Sequence, residues 1–142
     1  MNEEDAIRKL SYGADFSAPV FDEFRNNRKV VGYAWQRNPN AILFSSDEVK
    51  QDVGFFRLAV LNALEVMPYF PDELKQDKEF ILEAVKHHDN ALKYASDELR
   101  NDEAFVYQVV KTEEYAYRGA SETIRGKFKK VDEFIDYFEK ST

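Results

Sequence analysis

The sequence predicts an all-α fold: a short, solenoid-like stack of five helical repeats closed by a C-terminal helix. Two observations support this prediction. Similar segments recur every 25 residues, and each segment has the apolar spacing of an amphipathic helix. We expect the 142 residues to form a single domain, 1–142, with a capping helix over 128–142. The repeats are residues 3–27, 28–52, 53–77, 78–102 and 103–127.

The first ten residues of each repeat predict its longer helix. Apolar residues occupy the third, fourth, seventh and eighth positions, which in the fourth repeat are Phe80, Ile81, Ala84 and Val85. This spacing places them on one face of a helix about ten residues long. Trp35 has the eighth position of the second repeat, so we expect it in the core rather than on a binding surface.

The second half of each repeat predicts a turn and then a short helix. Ser or Pro followed by acids is typical of a helix start, because these residues cap or suit the first turn and carboxylates meet the positive end of the helix dipole. We expect an Asp at the end of three repeats, such as Asp102, to cap the next long helix. The short helix is predicted to bury one residue per repeat: Phe24, Val49, Leu74, Leu99 and Ile124.

The two ends of the chain depart from the pattern, as the ends of a repeat stack do. The first repeat has Asp5 where the others have an apolar residue, and the last has Gly119 in an otherwise aromatic column. After it, Val131, Phe134 and Phe138 fall on one face of a predicted closing helix.

Composition excludes several classes of protein. A hydrophobic content of 44% is too high for a disordered chain, and no apolar run approaches the length that spans a bilayer. The net charge of −7 argues against direct nucleic-acid binding. There is no cysteine and no apparent signal peptide, so we expect a cytoplasmic protein, or one in a host cytosol if it is a secreted effector or a phage protein.

The fourth repeat resembles a known family. Its run DKEFILEAVK, continued by ALKYASDELRND, is similar to the helical repeat called domain of unknown function family 4116. Residues 28–77 match that repeat well, and residues 103–127 retain Ala120 and Ser121. The resemblance implies an all-α repeat protein of a kind found in bacterial and viral proteins, some of them secreted effectors. It implies no activity and supplies no catalytic residues.

Acids at the starts of the short helices would align into an acidic ridge if the repeats stack. This ridge could bind a basic partner or imitate a phosphate backbone, but first-turn acids also simply stabilise helices. A basic column follows the acids in every repeat, and we expect it to neutralise much of the ridge. The ridge is Asp22, Glu23, Asp47, Glu48, Asp72, Glu73, Asp97, Glu98 and Glu122; the basic column is Arg25, Lys50, Lys75, Arg100 and Arg125.

No residue set indicates an enzyme. His87, His88 and Asp89 suggest a metal site or a general base, but adjacent helical residues diverge by about 100° and no third histidine completes a zinc set. We interpret them as surface turn residues. No phosphate-binding loop and no nucleophile motif is present, so we expect neither catalysis nor a cofactor nor a metal.

The third repeat carries the most informative departure. Leu58 and Leu61 occupy positions that are polar or tyrosine in the other repeats, and Leu64 follows one turn later. With Tyr33 they form an apolar strip, which is either buried inside the stack or offered to a partner. We expect a non-enzymatic protein-binding module, adaptor or effector-like, that binds a protein or itself through this strip. The alternative is an acidic inhibitor that mimics nucleic acid, such as a phage or viral anti-defence factor.

Overall fold

A computed structural model describes residues 1–60 and 64–141, and the side chains outside residues 59–66. Within these residues the chain is helical and contains no strand, which confirms the predicted all-α class. The α-helices are α1 Glu3–Ser11, α2 Arg28–Arg37, α3 Asp47–Lys50, α4 Val53–Val60, α5 Asp72–Lys75, α6 Lys78–His87, α7 Asp97–Arg100, α8 Glu103–Thr112, α9 Glu122–Lys127 and α10 Val131–Lys140. The 3₁₀ helices are η1 Pro19–Phe24, η2 Pro39–Phe44, η3 Leu64–Tyr69, η4 Ala91–Tyr94 and η5 Glu114–Gly119.

The longer helices begin at matching positions of the sequence repeat. Helices α1, α2, α4, α6 and α8 each start at the first residue of a repeat. The residue before each start accepts a hydrogen bond from the backbone N–H three residues later, which satisfies one of the unpaired donors of the first turn. This confirms the predicted Asp caps and adds two Asn caps. The cap-to-nitrogen distances are Asn2 2.8 Å, Asn27 3.0 Å, Asp52 2.9 Å, Asp77 3.0 Å and Asp102 3.1 Å.

The short helices α3, α7 and α9 are capped by Ser46, Ser96 and Ser121, as predicted. The backbone N–H of each serine also donates to a carbonyl of the preceding repeat at 2.8 Å. The acceptors are the carbonyl oxygens of Arg25, Lys75 and Arg100, respectively. The same backbone hydrogen bond therefore joins the short helical segments of neighbouring repeats at three places, one in the first half of the chain and two in the second.

The chain divides into two compact units, Met1–Pro71 and Asp72–Thr142, with the boundary inside the third repeat. In the first unit Trp35 has no exposed surface, which confirms the prediction that it is a core residue. Its ring lies 4.9 Å from that of Phe55 and 5.1 Å from that of Phe56 between centroids. Its indole N–H has no hydrogen-bond partner among the described residues.

The core of the second unit follows the predicted apolar columns. Phe80, Ile81, Ala84 and Val85 of α6 are all buried. The same holds for the predicted short-helix column throughout the chain, where all five residues are buried. In the second unit, the apolar positions of the longer helices α6 and α8 are therefore core positions.

The closing helix is shorter than the predicted segment 128–142, because residues 128–130 are not helical. Phe128 ends α9 in an extended conformation, and its carbonyl accepts a hydrogen bond from the Tyr117 hydroxyl. Helix α10 then buries Phe134 completely, with its ring 5.6 Å from that of Tyr117 and 5.8 Å from that of Phe128 between centroids. The closing helix thus completes the core of the second unit.

The first repeat differs for identifiable reasons. Asp5 replaces an apolar residue because it forms a capping box with Asn2 at the start of α1. A loop over residues 12–18 follows α1, and Phe24 is buried in the 3₁₀ helix η1 rather than in the predicted short α-helix. The Arg25 guanidinium holds this loop by donating to the carbonyls of Phe16, Ser17 and Ala18.

No helix in the described part of the chain combines the length and the apolar character needed to cross a membrane.

Candidate functional site

The predicted apolar strip is represented among the described side chains by Leu58 and Tyr33. Leu58 lies on α4 with 69% of its surface exposed, and Tyr33 lies half-buried on α2. The Arg37 guanidinium carbon lies 5.7 Å from the centroid of the Tyr33 ring. Leu61 lies outside the described residues. Leu64 is the first residue of η3, and its side chain is outside the description as well.

The packing of α4 explains why Leu58 faces outward. Phe56 is completely buried, with its ring 6.3 Å from that of Phe70 between centroids. Because successive helical residues are about 100° apart, a residue two positions after Phe56 projects about 200° away from the core direction. The helix start capped by Asp52 fixes this register. Leu58 is therefore an apolar side chain on the outer face of a helix whose inner face is packed.

Two further exposed apolar residues lie in the first unit, on η2. Leu43 is 57% exposed and Phe44 is 44% exposed. The strip prediction missed both residues. A signal for Leu43 existed in the sequence, because the equivalent positions of the next three repeats are Pro68, Lys93 and Arg118.

Side chains of the basic column donate hydrogen bonds to backbone carbonyl oxygens, which the sequence did not predict. Arg100 Nε donates to the carbonyl of Gly119 at 2.7 Å, and Arg125 Nε donates to that of Ala120 at 2.9 Å. Lys50 Nζ likewise donates to the carbonyl of Leu43 at 3.3 Å. These side chains thus satisfy backbone acceptors near the 3₁₀ helices.

The acids predicted to form the ridge lie at the protein surface. All nine of its acidic residues are exposed, whereas the basic column is half-buried. Arg100 approaches Asp97 only to 3.7 Å, with the Asp97 side chain 101% exposed and that of Arg100 26% exposed. Arg25 and Asp22 form a closer pair at 2.9 Å. Arg25 and Arg100 thus form ion pairs with acids of the predicted ridge, and an exposed pair of this kind contributes about 0–1 kcal/mol to stability.

Replacing Arg100 by methionine is expected to lower the free energy of unfolding by about 1–2 kcal/mol, because the carbonyl of Gly119 loses a charged donor. Asp97→Asn is the matched control, since it removes the ion pair and keeps the carbonyl bond. We expect less than about 1 kcal/mol for the control in urea denaturation. Equal losses in the two variants would mean that the ion pair, and not the carbonyl bond, is the role of Arg100.

The histidine pair lies at the end of α6. His88 is the C-terminal cap residue, and His87 Nε2 lies 3.5 Å from Glu83 Oε1 on the same helix. Within the described residues, no three His, Cys, Asp or Glu side chains are grouped so that they could hold a metal ion. The pair is thus placed at a partly exposed helix end, beside one carboxylate.

The groups with shifted pKa values take part in structural contacts. The Phe55 N–H and the Arg28 guanidinium lower the pKa of Asp52, which caps α4. The hydrogen bond to Glu139 raises the pKa of Tyr107, which joins α8 to α10. These two groups therefore lie at a helix start and at a contact between two helices.

A family model described as Domain of unknown function (DUF4116) matches the chain twice, over residues 52–96 and 77–125. Together the two matches run from residue 52 to residue 125, which is more than half of the 142 residues. Their starting points lie 25 residues apart, the period of the sequence repeat. Comparisons with curated proteins and with solved structures gave no match.

Proposed function

The chain belongs to the DUF4116 family, and from this premise we propose that it is a non-enzymatic protein-binding module. Its five 25-residue repeats form a solenoid-like stack, and the outer face of the third repeat contacts a partner protein or a second copy. Small repeat stacks present extended surfaces suited to this role. The absence of cysteine suits a reducing cytosol, where we expect the protein to act.

The exposure of Leu58 is the observation that supports this proposal. A leucine that is 69% exposed contributes little to the fold, yet the four other repeats have Arg8, Tyr33, Glu83 and Gln108 at this position. The exposed Leu43 and Phe44 belong to the second repeat and add apolar surface within the same compact unit, Met1–Pro71. Apolar side chains of this kind are what a protein interface buries at its centre.

The experiment measures how tightly the partner or a second copy binds to three immobilised proteins: the wild type, Leu58→Glu and Gln108→Glu. Gln108 is exposed at the equivalent position of the fifth repeat, so its variant carries the same added charge on a surface outside the proposed interface. We expect Leu58→Glu to weaken binding of the partner or of a second copy by at least about tenfold, because a charge is then buried in an apolar contact. Gln108→Glu is expected to bind like the wild type. Equal binding by all three proteins would contradict the proposal.

A second candidate function is an acidic inhibitor that occupies a nucleic-acid-binding cleft. The exposure of the ridge acids supports it, since the half-buried basic side chains beside them donate to carbonyl oxygens. Salt distinguishes the two candidates. A complex formed by the ridge is expected to weaken strongly between low and moderate salt, because screening acts on exposed charges. The affinity of a complex formed through Leu58 is expected to change little over the same range of salt.

A further inference from the structure

A cleft of about 620 Å³ opens in the first unit between the C-terminal ends of α1 and α2 and the start of η2. Its lining includes the buried side chains of Leu10, Ala34 and Ala41. The loop over residues 12–18 forms another wall of the cleft. The backbone of this loop has a φ of 92° at Gly13, a conformation that favours glycine. The cleft volume lies within the range of about 300–1,000 Å³ that is typical of ligand sites.

Arg37 supplies the positive charge of this cleft. Its Nη2 donates to the Ser11 carbonyl at 3.3 Å, and its guanidinium lies against the Tyr33 ring. These two contacts hold the side chain in place and use one of its five N–H donors. Arg37 forms no ion pair with any acid in the described part of the chain. A guanidinium held in this way is suited to pair with an anion.

The second charge of the cleft limits which anion fits. Asp15 also lines it, and the Ser17 N–H donates to its carboxylate at 2.8 Å. This bond holds the pKa of Asp15 below its ordinary value, and an aspartate is already ionised near neutral pH at the ordinary value, so the cleft also carries a negative charge. A doubly charged phosphate would meet repulsion from Asp15, whereas a single carboxylate can pair with Arg37 at lower cost.

The polar groups of the cleft favour a peptide over a compact small molecule. Gln36, Asn38 and Asn40 line it and carry side-chain amides, which can both donate to and accept from peptide groups. Phe44 is also in the lining and is 44% exposed, so an apolar side chain of the ligand has a partner there. Capture of a C-terminal carboxylate is a recurring mode of peptide recognition.

We propose that this cleft binds the C-terminal end of a protein or peptide whose last residue is apolar. Arg37 pairs with the terminal carboxylate, the amides at the cleft bind the preceding peptide groups, and the last side chain packs on the apolar lining. Phe44 belongs both to this cleft and to the apolar surface considered with Leu58, but Leu58 does not line the cleft, and the inference does not depend on the proposed role of Leu58.

The test measures binding of three probes to the full chain by titration calorimetry. The probes are an acetylated tripeptide that ends in phenylalanine with a free carboxylate, the same tripeptide as its C-terminal amide, and phenylpropionate. We expect the free carboxylate to bind at least about tenfold more tightly than the amide, because one charged pair is lost. Phenylpropionate is expected to bind more weakly than the peptide acid.

Two arginine variants complete the test. Arg118 is also exposed and also lies over a tyrosine ring, at 5.5 Å from Tyr115, but it does not line the cleft. We expect Arg37→Gln to weaken binding of the peptide acid by about tenfold and Arg118→Gln to leave it unchanged. Equal binding of acid and amide, equal effects of the two variants, tighter binding of phenylpropionate, or no binding at millimolar peptide would each overturn the proposal.

Discussion

Replacing Phe80 by alanine is expected to lower the free energy of unfolding by about 3–5 kcal/mol. The side chain is only 4% exposed on α6, and its loss leaves a cavity in the core of the second unit. Urea denaturation followed by circular dichroism measures the change. The size of the effect follows from packing, since neighbouring helices can collapse only partly onto the vacated space.

Glu79→Ala is the matched control for this substitution. Glu79 is exposed and lies next to Phe80 in the first turn of α6, so its loss removes only a favourable interaction with the helix dipole. We expect a cost below about 1 kcal/mol. A loss below about 1 kcal/mol for Phe80→Ala as well would mean that the third position of the repeat is not a core position.

Replacing Gly119 by alanine is expected to destabilise the protein by about 3 kcal/mol, the upper end of the usual cost of overpacking. A Cβ at this position would lie 2.6 Å from the backbone nitrogen of Lys93 and 2.9 Å from the Cβ of Leu92. The atom that must move is therefore backbone of η4, which cannot yield as a flexible side chain does. The absence of a side chain at Gly119 allows η5 to approach η4.

Gly126→Ala is a control for which we expect the free energy of unfolding to change in the opposite direction. Gly126 lies within α9, and a Cβ there would meet nothing within 4 Å. Because alanine is favoured over glycine in a helix, we expect a gain of about 0.5–1 kcal/mol in the free energy of unfolding. If thermal denaturation shows similar changes for the two alanine variants, the close approach of η5 to η4 is not what requires glycine at residue 119.

Much of the fold could be predicted because local chemistry and tertiary packing agree in each repeat. Asp77 and Asp102 cap helices where the sequence places a cap, and Ser96 and Ser121 do the same for short helices. Trp35 is buried, as its column predicts. In such cases the helix start and the apolar positions are fixed by residues close in sequence, so a sequence pattern is sufficient.

The direction of long charged side chains could not be predicted in this way. Arg100 follows Asp97 by three residues, which suggests an ion pair, and that pair forms at 3.7 Å, but Arg100 Nε also donates to a carbonyl 19 residues away. Arginine has a long side chain and five N–H donors, so it can pair with an exposed carboxylate and also satisfy a carbonyl in a partly buried place. Sequence spacing shows the nearby acid and does not show the distant carbonyl.

The cleft beside Arg37 was also beyond sequence reasoning. It depends on a loop that replaces the regular turn of the repeat and on contacts between residues about 26 positions apart, as between Arg37 and Ser11. Gly13 and Pro19 in the first repeat are residue types typical of loops, but residue type alone does not show the shape of a loop. Leu58, in contrast, could be singled out, because one apolar residue among polar equivalents is visible in an alignment of the repeats.

We propose that Leu58 belongs to a contact surface rather than to the core. Urea denaturation of Leu58→Glu, with light scattering on the same samples, tests it most directly. We expect a free energy of unfolding within about 0.5 kcal/mol of the wild type, because the side chain is 69% exposed, together with loss of any association that the wild type shows. A loss of more than about 3 kcal/mol would contradict this, since a loss of that size is expected when a charge is forced into the core.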